Sequence, residues 1–484
     1  MGTTRRDFLR NTGCALGGMA LASTLESFSI VHALTPQAAT DYRALVCIFL
    51  NGGNDGNNLL VSLDQYNGPS GSTVEGYSNV RSASGLAIPQ TSLLPVSPLS
   101  GGSYGFHPNM PEMRDLFNQG KLGVVVNVGP LVEPLTRTTY QNGTGKKPLQ
   151  LFSHSDQVNL FQTAIANNVS QTGWGGRLAD ITKVLNGAAT FPQNISIAGI
   201  NLLLTGVNTR QLAIGDSNTA LSNVLPLNNP PGSAGFNSAQ NTARRTSFDE
   251  LRTLNQDIQL IKAASDTRSS ALQTSQALAS VNPSLTTVFP NTSLGRQLLQ
   301  IARLIKASTD PAAGINMKRQ IFFAQIGGFD THANQKVVNN GQPGGQDGLL
   351  LQVSQAMNAF YNATVELGLQ NNVTAFTLSD FGRTFQPAGS GAAVGSDHAW
   401  GNNHLVVGGA VMGQTLFGTY PTLRLGGPDD TDGGSNPRGR WIPTTSVEQY
   451  AATLATWYGL STADLEAVFP LIDRFPTANL GFML

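Results

Sequence analysis

This chain of 484 residues is poor in most of the features that would announce an activity. It has two cysteines, Cys14 and Cys47, so it carries no CxxC redox pair and no haem-attachment motif. Charged residues make up 12%, against the roughly 25% usual in globular domains. The formal net charge is zero, which leaves no basic field to attract nucleic acid. Beyond the N-terminus no run reaches the roughly eighteen apolar residues of a membrane helix, so no stable membrane span is expected. No GxGxxG follows a strand-like run, which argues against a dinucleotide-dependent redox enzyme. Histidine is scarce as well, at six residues, so the places where it clusters matter.

What the chain does have begins at residues 3–13, "TTRRDFLRNTG". A small-residue apolar stretch follows from Cys14 to Leu25, then "VHA" at 31–33. This is the pattern of a twin-arginine export leader with cleavage after Ala33. The stretch is too short and glycine-rich to span a bilayer. The expected partner is therefore the twin-arginine export machinery, and the expected location is periplasmic or secreted. That route carries folded proteins, often with a cofactor loaded. Cys14 leaves with the leader, and Cys47 in "ALVCIFL" reads as a buried strand residue, so no intramolecular disulfide is expected.

Apolar runs at 44–50, 122–128, 319–326, 373–378 and 404–409 read as buried parallel strands. Helical patterns lie between them at 110–119, 155–165, 244–279, 293–308 and 346–369, and two more at 445–458 and 462–468 close the chain. The alternation predicts an α/β fold: a doubly wound, mostly parallel sheet with helices on both faces. Residues 41–484 are expected to form one domain with a helical insertion around 240–310. The Gly-, Pro-, Ser- and Asn-rich segments at 68–103, 228–241 and 426–440 read as surface loops.

Ligands of open α/β sheets bind beyond the carboxyl ends of the strands, and the rare polar clusters fall near strand ends. Asp55 follows the first run; "FSHSDQ" (152–157) opens a helix after the second; Asp330 and His332 follow the third; Asp380 and Arg383 follow the fourth. Asp397, His398 and His404 stand at the start of the fifth. Residues two apart on an extended chain point to one side, so Asp330 and His332 can share an ion. An aspartate oxygen with a histidine nitrogen suits zinc, manganese or iron. Asp397 and His398 are adjacent and point apart, so only one of them is expected to be a ligand. Asp55, Asp330 and Asp380, brought together, would repel unless a cation lay between them. Plainer readings stand beside these. Asp55 and Asp380 suit turns, while Asp330, Ser153 and Ser155 suit helix caps. His398 can simply pack against Trp400, and His404 reads as structural.

The leader together with "FLNGGNDGNNLLV", "FHPNMPEM", "FSHSDQ", "GWGGRLAD", "GGFDTHANQ", "LSDFGRT" and "DHAWGNNHLVVGG" resembles the DUF1501 family, in order and over nearly all of the mature chain. That family is similar to the alkaline phosphatase and sulfatase superfamily. The resemblance implies an alkaline-phosphatase-like fold and a metal-dependent hydrolase of phosphate or sulfate esters. It implies one or two divalent ions (zinc, manganese, iron or calcium) held by Asp55, Asp330, His332, Asp380 and His398. Ser153, or else Ser155, is implied as the nucleophile at a helix N-terminus, where backbone N–H groups favour an anion. His154 is implied as an acid or base or a further metal ligand, and Arg383 or Arg177 as an anion clamp. Phe381 stands where the superfamily commonly has histidine. The alternative is an exported envelope or binding factor that keeps the fold without catalysis.

Overall fold

The computed structural model describes residues 38–223, 283–339 and 341–484, with scattered positions between 243 and 281. The leader lies outside the described residues, as does much of the expected insertion before residue 283. The rest is built on runs too apolar to tolerate water on either face. β1 (Arg43–Leu50), β2 (Leu122–Gly129), β5 (Arg319–Ile326) and β6 (Val373–Ser379) are buried along almost their whole length. Short strands β3 (Asn194–Ser196) and β4 (Gln211–Ala213) extend one edge. β7 (Asn402–Val407), β8 (Leu416–Phe417) and β9 (Thr445–Ser446) complete a nine-stranded sheet of order β8-β2-β7-β6-β1-β5-β3-β4, with β9 also on β2.

Alternate residues of these strands enter two separate cores. Val46, Ile48, Phe322 and Ala324 pack with α1 (Pro111–Asn118), α4 (Ser293–Thr309) and α5 (Gly345–Glu366). Cys47, Phe49, Ile321 and Phe323 pack with α2 (His154–Thr163), α3 (Trp174–Thr182) and α6 (Val447–Tyr458). The fold is α/β with a mostly parallel sheet and helices on both faces. α4, at the end of the expected insertion, covers the sheet. Cys47 is a free, fully buried thiol that burial pushes well above its ordinary pKa.

Register sets where the polar loops emerge. Leu50 of β1 pairs with Ser379 of β6 and with Ile326 of β5. Three strands thus end flush, and "NGGND", "SDFGR" and "GGFDTH" leave from one edge. The fifth expected strand is parallel to neither neighbour: β7 runs antiparallel to both β6 and β2. The chain between β6 and β7 folds into a hairpin, Arg383–Ala388 with Gly395–His398, and returns to the edge it left. A parallel re-entry needs a crossover to the far edge, usually a helix, and this segment holds none. The reversal places the start of β7 beside the carboxyl ends of its neighbours, so the residues before it join the same edge.

Candidate metal centre

Four side chains from three segments converge at that edge. His154 is the first residue of α2, Asp330 and His332 lie in the loop after β5, and His398 ends the hairpin. Their nitrogen and oxygen donors all lie within 4.8 Å of one another. Asp330 Oδ1 is 3.2 Å from His332 Nε2, 3.4 Å from His154 Nε2 and 3.6 Å from His398 Nε2. His332 Nε2 and His398 Nε2 are 2.8 Å apart.

The groups behind the rings decide which atoms face inward. His154 Nδ1 is 2.7 Å from Asp380 Oδ2, His332 Nδ1 is 3.0 Å from Asp397 Oδ1, and His398 Nδ1 is 2.8 Å from the Phe152 carbonyl. A carboxylate or a carbonyl only accepts, so each Nδ1 carries a proton and each ring turns its Nε2 inward. Lone pairs 2.8 Å apart repel unless a proton or a cation lies between them. His154 Nε2 is enclosed and makes no hydrogen bond. Three imidazole nitrogens and one carboxylate oxygen, each ring backed by an acceptor, fit a divalent cation.

The turn after β1 supports this arrangement from behind. The Gly52 N–H donates to Asp380 Oδ1 at 2.9 Å, and the Gly52 and Gly53 carbonyls accept from Arg383. A side chain at Gly52, with φ of 114°, would collide with the Asp330 amide, so only glycine lets the turn approach so closely. Arg383 is fully buried and also donates to Phe329 O, Ser396 O and Asp330 Oδ1. Burial acts to raise the Asp330 pKa, but the Arg383 bond and charge outweigh it and hold the carboxyl below its usual range. Burial lowers His398, only partly offset by the Phe152 bond.

Other expected site residues stand elsewhere. Asp55 is outside the group: Oδ2 accepts from Arg81 at 2.6 Å and Gln335 at 2.7 Å, and Oδ1 accepts from the Asn57 side chain and amide. Asp380 lies behind His154, one ring away from the group's centre. The three carboxylates therefore do not share a cation, because Arg81, Arg383 and His154 each face one of them. Neither Arg383 nor Arg177 has donors to spare for an anion. The Arg177 fork is spent on the carbonyls of Thr163, Thr172 and Val468, and burial lowers its pKa to about 10. Ser153 caps α2, and its Oγ donates to Asp156 at 2.6 Å. Ser155 is exposed beside it, 3.3 Å from Ser153 Oγ. His404 is buried between Phe161 and Tyr450, away from the group. Arg81 in "SNVRSASG" and the Phe152 carbonyl carried no signal in the sequence; Asp397 was in view, but as a rival of His398.

The fold and this group define an α/β protein with a histidine-rich ligand cluster at the carboxyl edge of its sheet. The chain belongs to the DUF1501 family, whose model, described as a protein of unknown function, matches residues 42–429. No curated protein matches. Among solved structures the chain is similar to the PsFucS1 sulfatase from Pseudoalteromonas sp., at 10% identity and a TM-score of 0.29 over 96% of this chain and 73% of that one. It is similar to the phosphonate monoester hydrolase of Agrobacterium radiobacter, at 9% and 0.31 over 87% and 74%. The zinc complex of the C-terminal periplasmic domain of EcEptC from Escherichia coli gives 9% and 0.30 over 78% and 77%. Scores of this size mark a coarse likeness.

Proposed function

We propose that the protein is an exported hydrolase of phosphate or sulfate esters that depends on one divalent cation held by His154, His332, His398 and Asp330. The convergence of three Nε2 atoms and one carboxylate oxygen within 4.8 Å carries this reading. A bound cation would supply positive charge for the ester's oxygens and for the attacking oxygen. The mixed nitrogen and oxygen donors favour zinc, manganese or iron over calcium, which prefers oxygen alone. One ion fits better than two, because Asp55 and Asp380 are committed to other partners.

The chain's own contribution is orientation. Asp380, Asp397 and the Phe152 carbonyl hold the rings, and Arg383 holds Asp330. Ser153, between Phe152 and His154, is the side-chain nucleophile of this reading; its hydroxyl proton already points to Asp156. The other attacking oxygen is a water. His154 acts as a ligand instead of an acid or base, since its Nε2 faces the group and its Nδ1 is held by Asp380. The substrate class rests on the superfamily resemblance. Export rests on the leader motif, and among the described residues no helix is long and apolar enough to cross a membrane.

The test is elemental analysis of the folded protein beside His332→Ala and Asp330→Ala, followed by phosphate- and sulfate-ester assays. One equivalent of metal, lost in both variants, with turnover of one ester class, is the expected result. Metal that persists in both folded variants would sink the site. Metal without turnover of any ester would move the reading to an exported binding factor. Mass analysis of the exported chain, expected to begin after Ala33, checks the leader.

A further inference from the structure

With Arg383 and Arg177 both spent on carbonyls and Asp330, no arginine nominated by the sequence is free to hold a substrate's anion. A third guanidinium stands at the same edge. Arg440 stacks on the Phe152 ring, 4.1 Å from its centroid. The Phe152 carbonyl holds His398, and Asp397, whose charge Arg440 feels, holds His332. Arg440 therefore packs on one residue that fixes a ligand ring, Phe152, and lies within electrostatic range of another, Asp397.

Its donors are unspent. Only 13% of the side chain is exposed, yet among the described residues the guanidinium makes no hydrogen bond, and its buried Nε has no partner. Among the described residues the one carboxylate in ion-pair range is Asp432 Oδ1, at 3.8 Å from Nη1, which is too long for a hydrogen bond. Asp432 is itself engaged by Arg438, through the backbone N–H at 3.1 Å and the side chain at 3.3 Å. Enclosing a cation with unsatisfied donors is costly unless an anion completes it.

The backbone that presents Arg440 is rigid for a stated reason. The fully buried Asp430 carboxylate accepts from the amides of Gly426, Asp432, Gly439 and Arg440 at 2.9–3.0 Å. The segment is also tied to the hairpin through Phe385 N to Gly439 O and Gln386 N to Arg438 O. The segment at 426–440, which reads as a Gly-, Pro-, Ser- and Asn-rich surface loop, is a folded bracket that ends in a guanidinium whose one nearby carboxylate, Asp432, is too far for a hydrogen bond. Phe152 below it holds a left-handed φ of 72°, a strained conformation that sets both its carbonyl and its ring.

We infer that Arg440 is the oxyanion-recognition residue of this site, stacked on Phe152 and donating to a phosphate or sulfate group bound beside the histidine cluster. The inference rests on the hydrolase reading for its substrate class. It stands apart from that reading in its measurement, because anion binding is scored independently of metal and of turnover.

The experiment is calorimetric titration of the full chain, with measured metal content, by inorganic phosphate and separately by sulfate. It is repeated with Arg440→Ala and Arg440→Lys. The wild type is expected to bind at least one of the two anions, and the anion bound names the ester class. Arg440→Ala, at unchanged metal content, should weaken that binding by about tenfold or more, the scale of a lost charge-assisted hydrogen bond. Arg440→Lys keeps the charge but loses the stacked plane and the fork, and should fall between. If alanine folds poorly, the lysine variant decides alone: wild-type affinity there overturns the inference. So does wild-type affinity in a folded Arg440→Ala protein, or a wild type that binds neither anion. A protein that holds no metal but loses anion binding on Arg440→Ala would end the metal reading and keep this one.

Discussion

Two polar clusters sit at one edge of the sheet, and the sequence marks both with the same signal, an aspartate just past a buried strand. Around Asp55 everything is closed. Asp55 and Arg81 are both 0% exposed, and Gln335 and Asn57 also donate to the carboxylate. Around Asp330 the site is open. Asp330 and His332 are 48% and 47% exposed, and three Nε2 atoms point at a shared centre. The first cluster has a donor for each oxygen of the Asp55 carboxylate, and within it only the Arg81 Nε lacks a partner among the described residues. The second gathers three imidazole nitrogens and one carboxylate oxygen around a common centre, with Arg383 donating to Asp330 from one side, a set that would suit a cation. Saturation, more than residue type, separates the closed polar network from the proposed binding site.

The largest expected effect breaks the closed cluster. Arg81→Ala strands a fully buried carboxylate and should cost about 3–5 kcal/mol, seen in thermal or denaturant unfolding. His332→Ala should do the reverse. It removes a half-exposed ring, so metal-free stability should move by less than about 1 kcal/mol while metal binding collapses. If His332→Ala destabilised the metal-free protein as much as Arg81→Ala, the contrast between the clusters would be wrong.

A smaller effect sharpens the open cluster from behind. Asp380→Asn and Asp397→Asn should weaken metal binding by about 10–100-fold without abolishing it, by loosening the rings they hold. Competition with a chelator of known affinity measures this.

A last effect, visible only against pH, comes from two buried titratable groups outside both clusters. Burial lowers His404 from an ordinary 6.5 to about 3, so it stays neutral in the fold and charges in the unfolded chain. Its contribution is complete above pH 6.5 and is lost as pH falls toward 3. Burial raises Glu448 from 4.5 to about 8, so its contribution is complete below 4.5 and fades as pH rises through 8. Melting temperature against pH should flatten on the acid side in His404→Phe and on the alkaline side in Glu448→Gln.

Much of the fold was legible. The five long apolar runs are strands, because only a strand covered on both faces is apolar at every position. The direction of β7 was not legible, since it depends on the hairpin between 383 and 398 returning to its starting edge. For the site, Asp330, His332 and His398 were named as ligands and meet in one group, and His154 meets them there. Asp55 was named on the same grounds and stands apart, because its partner Arg81 lies 26 residues on, in a segment with no distinguishing pattern.

The order of residues alone determined that this chain folds as an α/β sheet whose polar turns leave at strand ends, because hydrophobic periodicity is local and is written residue by residue. Only the tertiary structure decided which polar turns meet in one group. His154 and its acceptor Asp380 are 226 residues apart, and His332 and His398 are 66 apart. Whether a polar group is satisfied depends on partners at such distances, and no local pattern records them.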